Sequence, residues 1–157
     1  MNRLSRLAQR ILLPCLLMLA VGRAGAQNAD RIVGTFRVVS PFDRGDTAHV
    51  TVTRAPDDTY RGRISWVSKP NNPDGTPRTD LKNPNPKLRD RKATDVTMVY
   101  NLRFKSGEWV GGKLYDPYSG GTFGVQFKLA DNGRDLEARY YKGRPLLGIN
   151  AEWKRIK

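Results

Sequence analysis

The stretch GTFGVQFKLADNGRDLEARYYK, residues 121–142, decides the fold of this chain. Its first half alternates between apolar and polar side chains, and the large apolar ones on one face are Phe123, Val125, Phe127 and Leu129. Such alternation is typical of a strand with one buried face. Asn132-Gly133 separates this run from a second one, and Asn-Gly between two alternating runs is among the strongest hairpin signals. We therefore predict an antiparallel hairpin here.

The same alternation recurs from residue 32 to the end of the chain. The eight candidate strands are residues 32–39, 47–54, 60–67, 96–104, 108–115, 121–129, 135–142 and 149–156. No stretch after residue 26 shows a sustained period of 3.6 residues with caps, so we expect little helix. Sequential antiparallel strands in this number close most economically into an up-and-down barrel, because closure leaves no sheet edge exposed. The predicted fold is an all-β, eight-stranded antiparallel barrel whose interior is lined or filled by Trp66, Tyr100, Phe104, Phe123 and Phe127.

One connection, between the third and fourth strands, is much longer than the rest and rich in proline. Loops longer than about 12–15 residues in a compact domain are usually functional or disordered. This loop contains DLKNPNPKLRDR, residues 80–91, whose Asn-Pro pairs favour turns. There are three alternatives for this segment. It could be a rigid, self-bonded loop, it could be disordered, or it could form a cluster of donors for a carboxylate or phosphate. The donors of such a cluster would be Lys82, Asn83, Arg89 and Arg91, guarding the mouth of the barrel.

The N-terminal 26 residues have the pattern of a signal peptide. Three arginines precede an apolar run at residues 11–21, and Ala24-Gly25-Ala26 supplies a cleavage site of small residues. The run is short for a spanning helix, which needs roughly 20 apolar residues, and Pro14 interrupts it. We therefore expect cleavage after Ala26, export to the periplasm or the medium, and a single β-barrel domain at residues 27–157. An uncleaved membrane anchor is the alternative.

The composition of residues 27–157 limits the chemistry. Four of the 28 Lys and Arg precede residue 27, which leaves 24 against 15 acidic residues and a net charge of +9. Such a surface would attract anionic lipids or acidic glycans, or serve only solubility, and nucleic acid is not expected outside the cytoplasm. The only cysteine, Cys15, lies in the predicted signal peptide, and His49 is the only histidine. We expect no disulfide, no metal site, no cofactor and no nucleophilic triad.

Three blocks of the chain resemble the bacterial family known as domain of unknown function 2147. They are DLKNPNPKLRDR at residues 80–91, GGKLYDPYSGGTF at residues 111–123 and LEARYYKGRPLLGINAEW at residues 136–153. The resemblance implies a small exported protein with a lipocalin-like barrel and names no activity. The chain departs from the family pattern at Tyr140, where a glycine is usual, and at Phe123, where a tyrosine is usual. We add Tyr115, Asp116 and Arg139, which lie in the second and third blocks, to the candidate ligand-binding residues.

Two contacts can be predicted for such a barrel. Gly34-Thr35-Phe36 looks like a weakened lipocalin signature with phenylalanine in place of tryptophan, and Arg155 would then pack over Phe36. An ordinary core ring at Phe36 is the alternative. Asp116 lies where a predicted strand ends and a turn sequence begins. We hypothesise that its carboxylate pairs with Arg89 or Arg91 and so holds the long loop against the barrel.

The function that we expect from these observations is binding rather than catalysis. The chain would be an exported monomer that binds an apolar or amphipathic small molecule, such as a lipid, with an anionic head. One alternative is an envelope interaction protein that acts through its basic surface on an anionic component. A less favoured alternative is a glycan hydrolase that uses Asp116 with a second carboxylate. No recognisable catalytic constellation is present in the sequence.

Overall fold

The computed structural model describes residues 28–40 and 45–157. The chain divides into two compact units, residues 1–31 and residues 32–157. The predicted signal peptide lies outside the described residues. The second unit contains the β-strands.

Eight antiparallel strands form a closed barrel in chain order. They are β1 (Gly34–Val39), β2 (Thr47–Arg54), β3 (Tyr60–Val67), β4 (Thr97–Lys105), β5 (Glu108–Asp116), β6 (Gly121–Leu129), β7 (Leu136–Tyr141) and β8 (Ile149–Arg155). Phe36, opposite Arg155, and Val38, opposite Trp153, join β1 to β8 and close the barrel. The predicted fold is confirmed, and the predicted strand ends are correct to within one or two residues. Short 3-10 turns occur at Asp30–Ile32, Pro86–Leu88, Ala93–Asp95 and Pro145–Leu147.

The hairpin predicted at residues 121–142 is formed by β6 and β7, with Phe127 opposite Ala138. Its loop is longer than a two-residue turn, because the backbone N–H of Ala130 donates to the carbonyl of Asp135 at 2.9 Å. The side-chain oxygen of Asn132 accepts from the backbone N–H of both Arg134 and Asp135, at 3.0 Å each. Asn132 therefore sets the conformation of this loop.

The connections of an up-and-down barrel alternate between its two ends. We call one the turn end, where short turns join β2 to β3, β4 to β5 and β6 to β7. The other is the loop end, which carries the connections β1–β2, β3–β4, β5–β6 and β7–β8. Large aromatic side chains fill the interior towards the turn end, and Phe127 packs edge-on against Trp153 at 4.8 Å between ring centroids. The indole N–H of Trp153 donates to the hydroxyl of Tyr140 at 2.5 Å, which satisfies both buried polar groups.

Arg155 lies over the Phe36 ring, with its guanidinium carbon 4.5 Å from the ring centroid, so the predicted cation–π contact is confirmed. The same guanidinium donates to the carbonyls of Val33 at 2.8 Å and Arg134 at 3.0 Å. Gly34, at φ +147°, lies directly beneath it, and any Cβ there would overlap the guanidinium. Arg155 thereby ties the residue before β1 and the β6–β7 turn to the end of β8.

Two irregularities make part of the predicted interior wrong. Trp66 is 45% exposed, because a register shift between His49 and Val50 inserts one residue into β3 and moves Trp66 out of the alternation. Its ring instead stacks on His49 at 4.5 Å. In β4, Asn101 at φ +61° shifts the pattern in a similar way. Phe127 is buried as predicted, whereas three of the other predicted interior rings are only half-buried: Tyr100, Phe104 and Phe123.

Candidate functional site

The long loop is fastened to the barrel through the carboxylate of Asp80, which is fully buried. It accepts a hydrogen bond of 2.5 Å from the Tyr115 hydroxyl and one of 2.7 Å from the Asn83 amide. The Arg91 guanidinium donates twice more, with Nε at 2.9 Å and Nη2 at 2.7 Å. We call these four residues the Asp80 network. A buried carboxylate is tolerated only when it is paired and hydrogen-bonded in this way.

The hydroxyl of Tyr115 is held in its protonated form. Burial raises the pKa of Tyr115 well above its ordinary value, and the adjacent Asp80 carboxylate raises it further. Arg91 also lies near this ring, with its guanidinium carbon 5.9 Å from the centroid. Tyr115 is therefore a permanent hydrogen-bond donor to Asp80 at neutral pH.

The orientation of the Tyr115 side chain shows which wall of the barrel the long loop covers. Its neighbours Leu114, fully buried, and Asp116, which lines an interior cavity, point into the barrel, so Tyr115 faces outwards. It is nevertheless buried, because Asp80 and Asn83 lie against it. The sequence predicts that residues 80–91 guard the mouth of the barrel. Their buried contacts lie instead on the outer wall of β5.

Residues 80–91 form a closed subloop. Thr79 pairs with Lys92 at its base, and the backbone N–H of Asp80 donates to the Arg91 carbonyl at 3.0 Å. Inside it, the Asn83 side chain accepts from the N–H of Asn85 at 2.9 Å. The side chain of Asn85 accepts from the N–H of Lys87 in turn, and Arg89 donates to the Asn83 carbonyl at 2.9 Å. The self-bonded alternative therefore describes this segment.

Asp116 does not pair with the long loop, so that hypothesis is wrong. Its carboxylate accepts from the backbone N–H groups of Tyr118 at 3.2 Å and Ser119 at 3.1 Å, and from the Ser119 hydroxyl at 2.6 Å. Asp116 therefore stabilises the β5–β6 turn, while Arg91 is bound by the acidic residue within its own subloop.

The two remaining predicted residues, Lys82 and Arg139, make no contact within the Asp80 network. The ammonium of Lys82 lies 5.2 Å from the centroid of the Tyr118 ring, and its backbone carbonyl packs against Gly120, where a Cβ would overlap it. Arg139 lies on β7 and holds the β7–β8 connection, which places it away from the long loop. The structure thus brings Asn83, Arg89, Arg91 and Tyr115 together, sets Lys82 and Asp116 beside them, and separates Arg139.

A cavity of about 140 Å³ lies inside the barrel at the loop end. Its apolar lining includes Val38, Ala48, Ile64, Val67, Met98 and Pro117. Arg78, Thr79 and Ala93 of the long loop also line it, so both segments that flank the subloop reach the mouth. The sequence indicates strands with apolar inner faces but not where the interior is left unfilled.

Three charged residues at this cavity were not predicted from the sequence. Asp46 forms ion pairs with Lys69 and with Arg78, the latter at 2.7 Å, and all three line the cavity. Asp46 and Arg78 are 32 positions apart, and nothing in the local pattern of either residue signals their contact. Asp116 is the only one of the seven predicted site residues that lines the cavity.

Neither a metal centre nor a spanning helix is found among the described residues. No group of three or more His, Cys, Asp or Glu side chains in residues 28–40 and 45–157 could hold a metal ion. Over the same residues, no helix is long and apolar enough to cross a membrane.

A closed, eight-stranded antiparallel barrel with a cavity at the end that carries the long connections is a lipocalin-like barrel. The chain belongs to the family described as "Uncharacterized protein conserved in bacteria (DUF2147)", whose profile matches residues 34–155. One similar solved structure is described as "Protein HP1028 from the human pathogen Helicobacter pylori belongs to the lipocalin family". It is 26% identical, with a TM-score of 0.67 over 80% of this chain and 83% of that chain. No curated protein matches the sequence significantly.

Proposed function

We propose that this protein is an exported module that binds one small amphipathic ligand with an anionic head at the loop end of its barrel. The cavity lined by Val38, Ile64 and Met98 carries this proposal, because it offers a largely apolar space at the loop end of the barrel with charged residues around it. The similarity to a structure described as a lipocalin supports a binding role, since an eight-stranded barrel whose interior is not filled by side chains has room for one small ligand.

The size of the cavity limits what can enter it. At about 140 Å³ it is close to the roughly 150 Å³ of a dry protein cavity that admits benzene, and smaller than the roughly 300–1,000 Å³ of pockets that enclose drug-sized ligands. The cavity would therefore hold the apolar end of a ligand, such as part of a short acyl chain or one ring. The rest of the ligand would extend beyond the rim.

The charge around the rim favours an anionic head. Within the cavity lining, Lys69 and Arg78 are balanced by Asp46 and Asp116. Beyond it, the loop-end connections carry exposed cations: Lys82, Lys87, Arg89, Lys142 and Arg144. A carboxylate, sulfate or phosphate that emerged from the cavity would meet this positive field. Of the predicted ligand-binding residues, Asp116 lines the cavity and Lys82 lies over the ring of Tyr118, which lines it, so we propose these two as ligand contacts, with the Asp80 network holding the adjacent loop.

Isothermal titration with straight-chain carboxylates of increasing length tests the proposal. Each added methylene should raise the affinity about fourfold, from about 0.8 kcal/mol per buried methylene, until the cavity is filled, after which the affinity should level off. Alkylammonium ions of the same length should bind more weakly. Equal binding of both series would remove the anionic head from the proposal, and absence of binding by every member would overturn the proposal itself.

Two alanine-to-leucine variants locate the site. Ala48 lines the cavity at the loop end, and Ala55 lies in the β2–β3 turn at the opposite end. Ala48→Leu should fill part of the cavity and weaken carboxylate binding about tenfold or more, as expected when an apolar group loses its space. Ala55→Leu makes the same change and should leave binding unchanged. Wild-type affinity in a correctly folded Ala48→Leu protein would exclude this cavity as the site.

Export is part of the proposal. The basic start, the apolar run and the small residues before position 27 support cleavage after Ala26 and a periplasmic or secreted location. Intact mass measurement on protein recovered from the periplasm and the medium should give a chain that begins at residue 27. Full-length chain in the membrane fraction would support the uncleaved anchor instead.

A further inference from the structure

The β7–β8 connection exposes two adjacent leucines. Leu146 and Leu147 are 83% and 81% exposed, whereas most other large apolar side chains in residues 28–40 and 45–157 are buried or half-buried. Burial of such side chains is the main favourable contribution to folding, so a folded protein gains nothing from presenting two of them together to water. We propose that this connection is a docking tip that inserts into the surface of an anionic lipid bilayer.

The connection is built to keep these leucines outside. The Arg139 guanidinium donates to the carbonyl of Pro145 at 2.6 Å, to that of Leu146 at 2.8 Å and to the side chain of Asn150 at 2.7 Å. Gly148 packs against the Tyr140 carbonyl so closely that a Cβ would come within 2.6 Å of it. The carbonyls of Pro145 and Leu146 are thus tied to Arg139 on β7, which also holds Asn150 on β8, and the leucine side chains are exposed. This gives Arg139 a role in positioning the tip.

Cations flank the apolar tip. Lys142 and Arg144 are both exposed, and residues 142–148 contain no acidic residue. Basic residues beside exposed apolar ones are typical of segments that lie in the interface of anionic membranes, where the cations meet the headgroups and the apolar side chains enter the acyl boundary.

The connections at the two ends of the barrel differ in charge, and those at the loop end are the more basic. The loop-end connections that the structure describes in full, residues 68–96, 117–120 and 142–148, contain nine Lys or Arg against four Asp. The turns at the other end, residues 55–59, 106–107 and 130–135, contain four Asp against one Arg. Exposed apolar residues also occur on the other loop-end connections, at Leu81 and Tyr118, and the ammonium of Lys82 lies near the Tyr118 ring. An anionic surface would therefore attract the loop end more strongly than the turn end, where Arg155 and Lys157 offset part of the acidic charge of the turns.

This orientation has a consequence for the cavity. Because the cavity lies at the loop end, docking through this end would bring its mouth towards the lipid. The inference does not require the proposed ligand binding, since the tip can dock whether or not the cavity is occupied.

Vesicle flotation with protein recovered after export is the test. Vesicles that contain about one third phosphatidylglycerol in phosphatidylethanolamine should bind the protein at low salt, and about tenfold less at high salt because screening weakens the headgroup contacts. Leu146→Ser combined with Leu147→Ser should weaken binding about tenfold or more without changing the thermal midpoint, because both side chains are exposed. Lys142→Glu combined with Arg144→Glu should weaken binding and reduce its salt dependence.

A matched control makes the same apolar-to-serine change at the other end. Val33→Ser combined with Ile156→Ser removes two exposed apolar side chains near the turn end and should leave vesicle binding unchanged. As a second readout, an environment-sensitive dye on Leu146→Cys should shift to the blue on binding, whereas the same dye on Asp131→Cys should not. Three results would each overturn the proposal: no binding of wild-type protein to anionic vesicles, wild-type binding by the leucine double variant, or equal dye shifts at both ends. A surface that serves only a protein partner would give the first of these results.

Discussion

The hydroxyl of Tyr115 donates a hydrogen bond of 2.5 Å to the buried carboxylate of Asp80, which precedes it by 35 positions. This bond joins the outer face of β5 to a loop that has no β-strand of its own. Arg91 and Asn83 complete the coordination of the same carboxylate. The Asp80 network therefore fastens residues 80–91 to the outer face of β5 through side-chain hydrogen bonds, where no strand pairing holds them.

Tyr115→Phe should destabilise the protein by about 1.5–3 kcal/mol, because it removes one hydrogen bond to a buried charge. Asp80→Ala should cost about 3–5 kcal/mol, because it leaves Arg91, Asn83 and Tyr115 without their shared acceptor. Urea unfolding measures both changes. Trypsin should also cut the subloop, which is rich in Lys and Arg, faster in both variants than in wild type.

Tyr118→Phe is the matched control for the Asp80 network. It makes the same chemical change in the neighbouring turn, where the ring is exposed and its hydroxyl is not part of the network. Its effect should stay within about 0.5 kcal/mol. Equal stability losses in Tyr115→Phe and Tyr118→Phe would show that the Tyr115–Asp80 bond contributes nothing.

The barrel could be predicted from the sequence because most of its strands have one face inside. In β6 the period of two is unbroken, and Val125 and Phe127 are buried as the pattern predicts. The prediction is wrong where one extra residue changes the phase. The shift opposite His49 moves Trp66 to the surface, and no local feature of ISWV marks it, because a bulge is settled by pairing with the neighbouring strand.

The candidate site was less predictable, for a related reason. The sequence marks Asn83 and Arg91 as donors, but it suggests Asp116 as the partner of Arg89 or Arg91 and a bound anion as the partner of Asn83, whereas Asp80 accepts from both Asn83 and Arg91. Which acidic residue binds these donors depends on the wall of the barrel that the subloop covers. The contact with Tyr115, which is distant in the chain, determines that wall. Asp46 and Arg78 likewise meet only because the ends of distant strands converge on the cavity.

Arg155→Met should destabilise the barrel by about 2–3 kcal/mol, because it removes the cation over Phe36 together with hydrogen bonds to the Val33 and Arg134 carbonyls. Arg155→Lys should restore only part of this loss, since an ammonium cannot reproduce the planar fork of a guanidinium. Lys154→Met, next to it on the exposed face, is the control. Thermal unfolding of all three compares them directly, and equal midpoints for Arg155→Met and Lys154→Met would contradict a closing role for Arg155.

Two adjacent glycines of β5, Gly111 and Gly112, separate the cost of overpacking from the cost of backbone strain. A Cβ on Gly112 would lie 2.5 Å from the Leu102 Cδ2 atom and 3.1 Å from the Val125 Cγ1 atom, so Gly112→Ala should cost about 1–3 kcal/mol by overpacking. Gly111 has open space around it but a φ of +71°, so Gly111→Ala should cost about 1–2 kcal/mol through backbone strain alone. Adding Leu102→Val should offset part of the first loss and none of the second. Rescue of both, or of neither, in urea unfolding would contradict this assignment.

Two tyrosines should make the barrel lose stability in alkali. Burial raises the pKa of Tyr140, and burial together with Asp80 raises that of Tyr115, both above the ordinary value of 10.0. Their contribution is complete below pH 10.0, where both the folded and the unfolded chain keep the phenol protons. Above it the unfolded chain releases protons that the folded chain retains, so stability falls by up to about 1.4 kcal/mol per pH unit for each tyrosine.

Urea unfolding between about pH 8 and pH 11 measures this slope. Tyr140→Phe should be less stable at the lower pH, because the Trp153 indole loses its acceptor, but its stability should fall less steeply with pH than that of wild type. Tyr115→Phe should flatten the profile in the same way, and the double variant should flatten it further. Comparison of the variants at equal pH removes the contributions that they share. A slope in the double variant as steep as in wild type would show that these two phenols do not hold their protons more tightly in the folded barrel.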